Sequence, residues 1–204
     1  MEIERLHAVR CDRPIDVLRQ NAEKCAALAV ERAALEARAV AAAQMPVDDR
    51  VAVRFSIPKC FGYGTGVNCP PHSKKPEDTR KLLFLYRCGV VFRFKVPPEV
   101  IVRDRATIAQ RVGAYKREFE VASSLESAAC YDGYYLAVGF GAGSAKSTYC
   151  FDKPCAVPSG DKRRNALRSR PSMEAVGIDC YRLASELGWD IFTVGSDAKA
   201  ECFS

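Results

Sequence analysis

Four cysteines stand in two short loops rich in glycine and proline: Cys60 and Cys69 in KCFGYGTGVNCPP (residues 59–71), and Cys150 and Cys155 in YCFDKPCAVP (residues 149–158). No other feature constrains the chain as much. Glycine lets a backbone fold closely around a bound object, and proline stiffens a loop while removing an N–H group. Helix or strand packing alone does not explain such a composition. Thiolates held in this way suit a soft metal ion or an iron–sulfur cluster.

The 204 residues suffice for one large domain, or for one domain with an extension. Hydrophobic residues at 48% and charged residues at 27% indicate a globular, soluble chain. No apolar stretch reaches the roughly 20 residues that span a bilayer. LLFLYRCGVVFRFKV (residues 82–96) is broken by Arg87, Arg93 and Lys95, and MEIERLHAVRCDRP (residues 1–14) lacks the apolar core of a signal peptide. A cytoplasmic protein without membrane contact is therefore expected. In a reducing cytosol disulfides are not expected for the ten cysteines, which leaves metal ligation, redox chemistry or burial.

Net charge is +6, and the densest basic run is DKRRNALRSR (residues 161–170). It reads as a solvated loop, or as a surface for an acidic protein or a small anion. No aromatic residue interleaves it, which argues against single-stranded nucleic acid.

Residues 15–44 are Ala-rich, with Val17, Leu18, Cys25, Leu28 and Leu35 near helical spacing, and predict a helix ended by Pro46. Residues 51–55 alternate as a short strand. A helix is predicted from residue 75 to about residue 86, a strand over 88–96, and a long helix over 104–130 striped by Ile108, Val112, Tyr115, Phe119 and Ala122. Residues 134–138 predict a strand entering a glycine run, 172–187 a helix, and 190–194 a last strand. The alternation implies an α/β fold. The expectation is a single layered domain with a central sheet of about four to five strands flanked by helices. An N-terminal helical arm (residues 1–45) would precede a cysteine-containing domain (residues 46–204).

The glycine run GFGAGSAKST (residues 139–148) has a phosphate-loop flavour, but Phe140 and Ala145 stand where such a loop needs glycines. A tight turn serving the second cysteine loop is the simpler reading. Cys60 and Cys69 lack dense C-x-x-C spacing, so ligation and structural burial both stay open for them, as for Cys150 and Cys155. Cys25, Cys88, Cys130 and Cys180 fall on predicted helices or a strand and read as small buried hydrophobes. Cys11 and Cys202 lie near the termini. His72 reads as a loop residue or a group beside a centre, Tyr63 as packing over the site, and Arg170 as the partner of a carboxylate or anion. Glu174 reads as an acidic group stabilising the first turn of its helix, with Ser172 as N-cap.

CFGYG (residues 60–64) leading to Cys69 and two prolines, the strand into GAGS (residues 141–144), and RPSMEAVGID (residues 170–179) together resemble the "predicted metal-binding protein" family, domain of unknown function 2284. The resemblance covers roughly residues 45–195. It implies a metal-binding site rather than a particular reaction. The family pattern implies further cysteines where this chain has Phe55, Ala145, Thr148 and Arg163. Either one of two centres has been lost, or the whole site has decayed.

The leading expectation is a metal- or iron–sulfur-binding protein acting in redox or electron transfer, or as an accessory factor. Cys60, Cys69, Cys150 and Cys155 would converge as ligands of a [4Fe–4S] cluster, with zinc as the alternative, and His72, Tyr63 and Arg170 would stand around them. A redox partner protein or an acidic partner would follow. Two other readings stay open: a binding module using residues 162–170, and a metal-dependent enzyme whose centre keeps an open position.

Overall fold

The computed structural model describes residues 12–101, 106–151, 153–157, 160–162 and 164–191, together with Val9 and the backbone of Cys202 and Phe203. Helix α1 (Ile15–Glu31) starts behind Pro14, with Asp16 in its first turn. It ends earlier than its composition predicts. Ala33 takes φ 75°, Ala34 N–H donates back to the Ala29 carbonyl at 3.0 Å, and the chain turns into strand β1 (Glu36–Ala41). Alanine permits helix but does not enforce it against a waiting partner strand. That partner is β2 (Cys88–Arg93), antiparallel to β1, with Glu36 opposite Arg93 and Ala41 opposite Cys88.

The alternating faces of this ribbon seed two cores. On one face Ala37 and Phe92 join a cluster holding Ala29 of α1, Phe94, Val100, and Val121 and Leu125 of α5 (Ile108–Tyr131). On the other, Val40 and Val91 meet Val176, Ile178, Leu183 and Trp189. Between the strands lie α2 (Asp49–Val53) and α3 (Pro76–Phe84), and after β2 come β3 (Lys95–Val96) and α4 (Pro98–Ile101). Beyond α5 are α6 (Ala145–Tyr149), α7 (Cys180–Glu186) and β4 (Cys202–Phe203), which pairs antiparallel with β3.

The chain is thus mixed α/β, but the expected sheet of four to five strands is not formed. The described residues make two separate two-stranded antiparallel sheets. Residues 51–55 are not a strand, because Asp48 accepts from Arg50 N–H at 2.8 Å and caps α2 there. Residues 134–138 form no strand either: Tyr135, Leu136 and Val138 are all exposed, so neither face of that segment meets a core. The helix expected over 172–187 is cut at Gly177, with φ 90°, into a 3-10 turn (Glu174–Val176) and α7, whose start is capped by Asp179 accepting from Arg182 N–H at 3.0 Å. Of the last predicted strand, residues 192–194 lie outside the described residues. The helices expected near 75–86 and 104–130 are present as α3 and α5.

Candidate metal centre

The first cysteine loop is held by its own backbone. Cys60 N–H donates to the Phe55 carbonyl at 2.8 Å and Tyr63 N–H to the Cys60 carbonyl at 3.0 Å. Gly64, at φ 74°, donates to the Pro70 carbonyl at 2.7 Å, which folds residues 60–64 back over Cys69. The Cys69 carbonyl in turn accepts from the N–H groups of His72 and Ser73 at 2.9 and 3.1 Å. Side chains fasten this loop to distant chain: Asn68 Nδ2 donates to Ser169 Oγ at 2.6 Å, and Ser73 Oγ to the Ala175 carbonyl at 2.8 Å.

The glycine run supplies the opposite wall. Gly141 N–H donates to the Pro171 carbonyl at 2.9 Å, and its own carbonyl accepts from Met173 N–H at 3.0 Å. A β-carbon at Gly141 would lie 2.4 Å from the Phe119 ring of α5. At Gly143, with φ 63°, one would lie 2.8 Å from the Tyr115 ring. Only glycine lets the backbone sit this close to α5. The run then delivers Ser144, which caps α6 by accepting from Ser147 N–H at 3.3 Å and stands 3.8 Å from Cys69 Sγ.

Around Cys69 the predicted ligands approach one another. A β-carbon added to Gly62 would lie 3.5 Å from Cys69 Sγ, 3.9 Å from Cys60 Sγ and 4.0 Å from Ser144 Oγ, so both sulfurs face the bare α-carbon of Gly62. Cys69, Cys150 and Cys155 line one small pocket of about 30 Å³. Burial pushes the Cys69 thiol up; the Ser144 hydroxyl opposes the rise, and neighbouring Cys60 and Cys155 add to it. Cys150 Sγ accepts from Asn165 Nδ2 at 3.7 Å. The thiols are nevertheless spread apart: among the described residues no three His, Cys, Asp or Glu side chains stand close enough to share one metal ion. A tetrahedral zinc site would hold its sulfurs about 3.8 Å apart, given Zn–S bonds of about 2.3 Å.

The residues expected to surround the site are placed differently. His72 is exposed. Tyr63 is half-buried, with the Lys59 ammonium 5.9 Å from its ring centre. The Arg170 side chain is engaged with Glu126 and with the carbonyls of Ala166 and Ser169. Two neighbours in the basic run are also occupied, Arg164 donating to the Pro154 carbonyl at 3.0 Å and Arg168 lying 3.8 Å from Glu120. Of the other cysteines, Cys25, Cys88 and Cys180 are half-buried, whereas Cys130 is exposed on α5 rather than packed inside. Cys11 and Arg163 lie outside the described residues, as does the Cys202 side chain.

A much larger cavity, about 710 Å³, opens on the other side of Cys60, Gly62 and Cys69. Its lining also includes Glu118, Glu174 and Cys180, a group that sequence reasoning missed. Glu118 is buried, and burial pushes its carboxyl up to about 8, helped by Glu174. Burial also raises Glu174, and it holds the Cys180 thiol well above its ordinary range. The available signal was periodicity: Glu118 lies three residues after Tyr115 and four before Ala122, on the apolar stripe of α5.

No curated protein and no solved structure matches the chain. Among the described residues, no helix is long and apolar enough to cross a membrane. The family model described as "Predicted metal-binding protein (DUF2284)" matches residues 38–204, a span that contains both cysteine loops, the glycine run and α7. The chain belongs to this family of predicted metal-binding proteins.

Proposed function

We infer that the chain holds an iron–sulfur cluster through Cys60, Cys69, Cys150 and Cys155, and serves in electron transfer or as an accessory factor to a redox enzyme. The observation that carries this reading is the spacing of sulfurs around Cys69. Cys60 shares the face of Gly62 with it, and Cys150 and Cys155 share its small pocket, yet among the described residues no three metal-binding side chains are close enough for one ion. A cluster accepts more widely spaced thiolates than one ion does, because each thiolate binds a different iron. The donor set is all thiol, which suits this group.

Bound there, a cluster would supply one-electron transfer. The chain's own part is to bind and shield. Burial of Cys69 limits water on that side, the Ser144 hydroxyl offers a weak donor to its sulfur, and Asn165 does the same for Cys150. Hydrogen bonds to ligand sulfurs and limited solvent exposure are the protein's means of setting a cluster's potential.

The large cavity favours a second reading, in which the centre keeps an open position. Cys60 and Cys69 line that cavity, whereas Cys150 and Cys155 line only the small pocket, so a centre held mainly by Cys60 and Cys69 would face open space. One experiment separates these readings. Protein purified anaerobically should absorb broadly near about 400 nm and contain iron and acid-labile sulfide together. Stoichiometric zinc without sulfide overturns the cluster. No metal after reconstitution with iron and sulfide overturns both readings.

A further inference from the structure

The large cavity carries acids as well as cysteines. Glu118 lines it from the middle of α5; it is 8% exposed, and its carboxyl has no hydrogen-bond partner among the described residues. Glu174 and Cys180 share the wall. A carboxyl buried without a donor is costly to ionise, as for Glu118; burial raises Glu174 as well, although hydrogen bonds from its own backbone, Ser172 and Cys180 offset part of that rise. Among the described residues no basic group lowers either carboxyl. Arg93 reaches the cavity but is paired with Glu36 at 2.7 Å, and neither it nor Arg111, also on the wall, lowers either carboxyl. Much of the remaining wall is apolar or aromatic, including Phe55, Val91, Tyr115 and Trp189. A volume of about 710 Å³ is that of a small-molecule site.

We propose that this cavity binds a small amphipathic organic cation, a primary ammonium on an aryl or alkyl body, with Glu118 and Glu174 receiving the ammonium. An ammonium brings three donors and a counter-charge to two acids that neither arginine on the wall lowers. The aromatic face of Tyr115 adds to the attraction, and Val91 and Trp189 enclose the apolar body. An ammonium draws the raised carboxyls into their ionised form, which a neutral ligand does not, and an anion opposes that ionisation. A metal ion fits less well, since the acidic pair and Cys180 form no group able to share one.

Trp189 is the only tryptophan in the chain and lines the cavity, so its emission reports occupancy. The full chain is titrated with 2-phenylethylamine, with its neutral counterpart 2-phenylethanol and with the anion 2-phenylacetate. The amine should bind at least about 10-fold more tightly than the alcohol, and the acid should not bind. Glu118→Gln, which keeps shape and removes charge, should bring the amine to the level of the alcohol while the melting temperature holds or rises. Glu174→Gln should do the same and serves if the first variant fails to fold. Equal affinity for amine and alcohol overturns the proposal, as does preference for the acid, an amine preference that survives both substitutions, or no binding of any of the three at millimolar concentration.

Discussion

Gly62 turns its bare α-carbon toward Cys69: a β-carbon there would lie 3.5 Å from the Cys69 sulfur and 3.9 Å from that of Cys60. Those are ordinary contact distances, so an alanine fits the empty protein. It would fill the space in front of both sulfurs, where a cluster must sit. Gly62→Ala should therefore sharply lower iron and sulfide content. The metal-free variant should melt at the same temperature or slightly higher, since Gly→Ala at a compatible position stabilises by about 0.4–1 kcal/mol. Full metal content in this variant would place any centre away from the Gly62 face.

Cys69 and Cys88 offer a paired comparison. Cys69 is buried between the small pocket and the large cavity, whereas Cys88 begins β2 opposite Ala41 and is half-buried. Cys69→Ser should abolish metal binding with the two cores intact, because neither buried cluster includes residue 69. Cys88→Ser should keep the metal and cost on the order of 1 kcal/mol, as a hydroxyl replaces a small apolar group that has only partial access to water. Metal analysis and melting curves on both variants decide the matter. Equal metal loss would mean that the cysteines divide differently between site and scaffold.

These two cysteines also mark what a single sequence reveals. The loop residues around Cys60 and Cys69 were legible because glycine and proline at such density have few structural uses. Helices α3 and α5 were legible through Pro76 at a helix start and through the Ile108-to-Ala122 stripe. The end of α1 was not, since its alanines suit a helix and only the pairing of residues 36–41 with residues 88–93 across the ribbon draws them into a strand. Nor was the acid pair: Glu118 and Glu174 are 56 residues apart, and each alone reads as an ordinary helix residue. Cavities belong to tertiary packing and leave little trace in local pattern.

Gly141 tests the seating of the glycine run. A β-carbon there would fall 2.4 Å from the Phe119 ring, and Phe119 is fully buried, so the ring has little room to move. Gly141→Ala should destabilise by about 1–3 kcal/mol through overpacking. It should also disturb Ser144 and with it the Cys69 environment, so metal affinity should fall along with melting temperature. An unchanged melting temperature would show that α5 and the run pack more loosely than described.

Ala33 tests the turn between α1 and β1. It is exposed and holds φ 75°, a left-handed conformation that costs an L-residue with a β-carbon roughly 1–2 kcal/mol. Glycine carries no such penalty but loses more freedom on folding. Ala33→Gly should leave the chain equally stable or up to about 1 kcal/mol more stable, an unusual outcome for Ala→Gly next to a helix. A loss comparable to that of glycine inside a helix, about 1 kcal/mol, would show that α1 continues through residue 33.

The buried Glu118 carboxyl should write its presence into the pH dependence of stability. Its ordinary value is 4.5, and in the folded chain it stands at about 8. Between those values the folded chain binds more protons than the unfolded one, so stability is fully present below about 4.5 and is lost as pH rises towards 8. Each excess proton gives a slope of about 1.4 kcal/mol per pH unit, and across the window the sum is on the order of a few kcal/mol. Glu174, raised in the same direction, shares this proton uptake. Glu118→Gln should therefore flatten denaturant-derived stability between pH 5 and 8, within the window that opens at 4.5, and should leave the variant more stable than the parent at the alkaline end. Parallel pH profiles for the two proteins would mean that Glu118 ionises as freely in the folded chain as in the unfolded one, and the acid wall of the cavity would then be open to water.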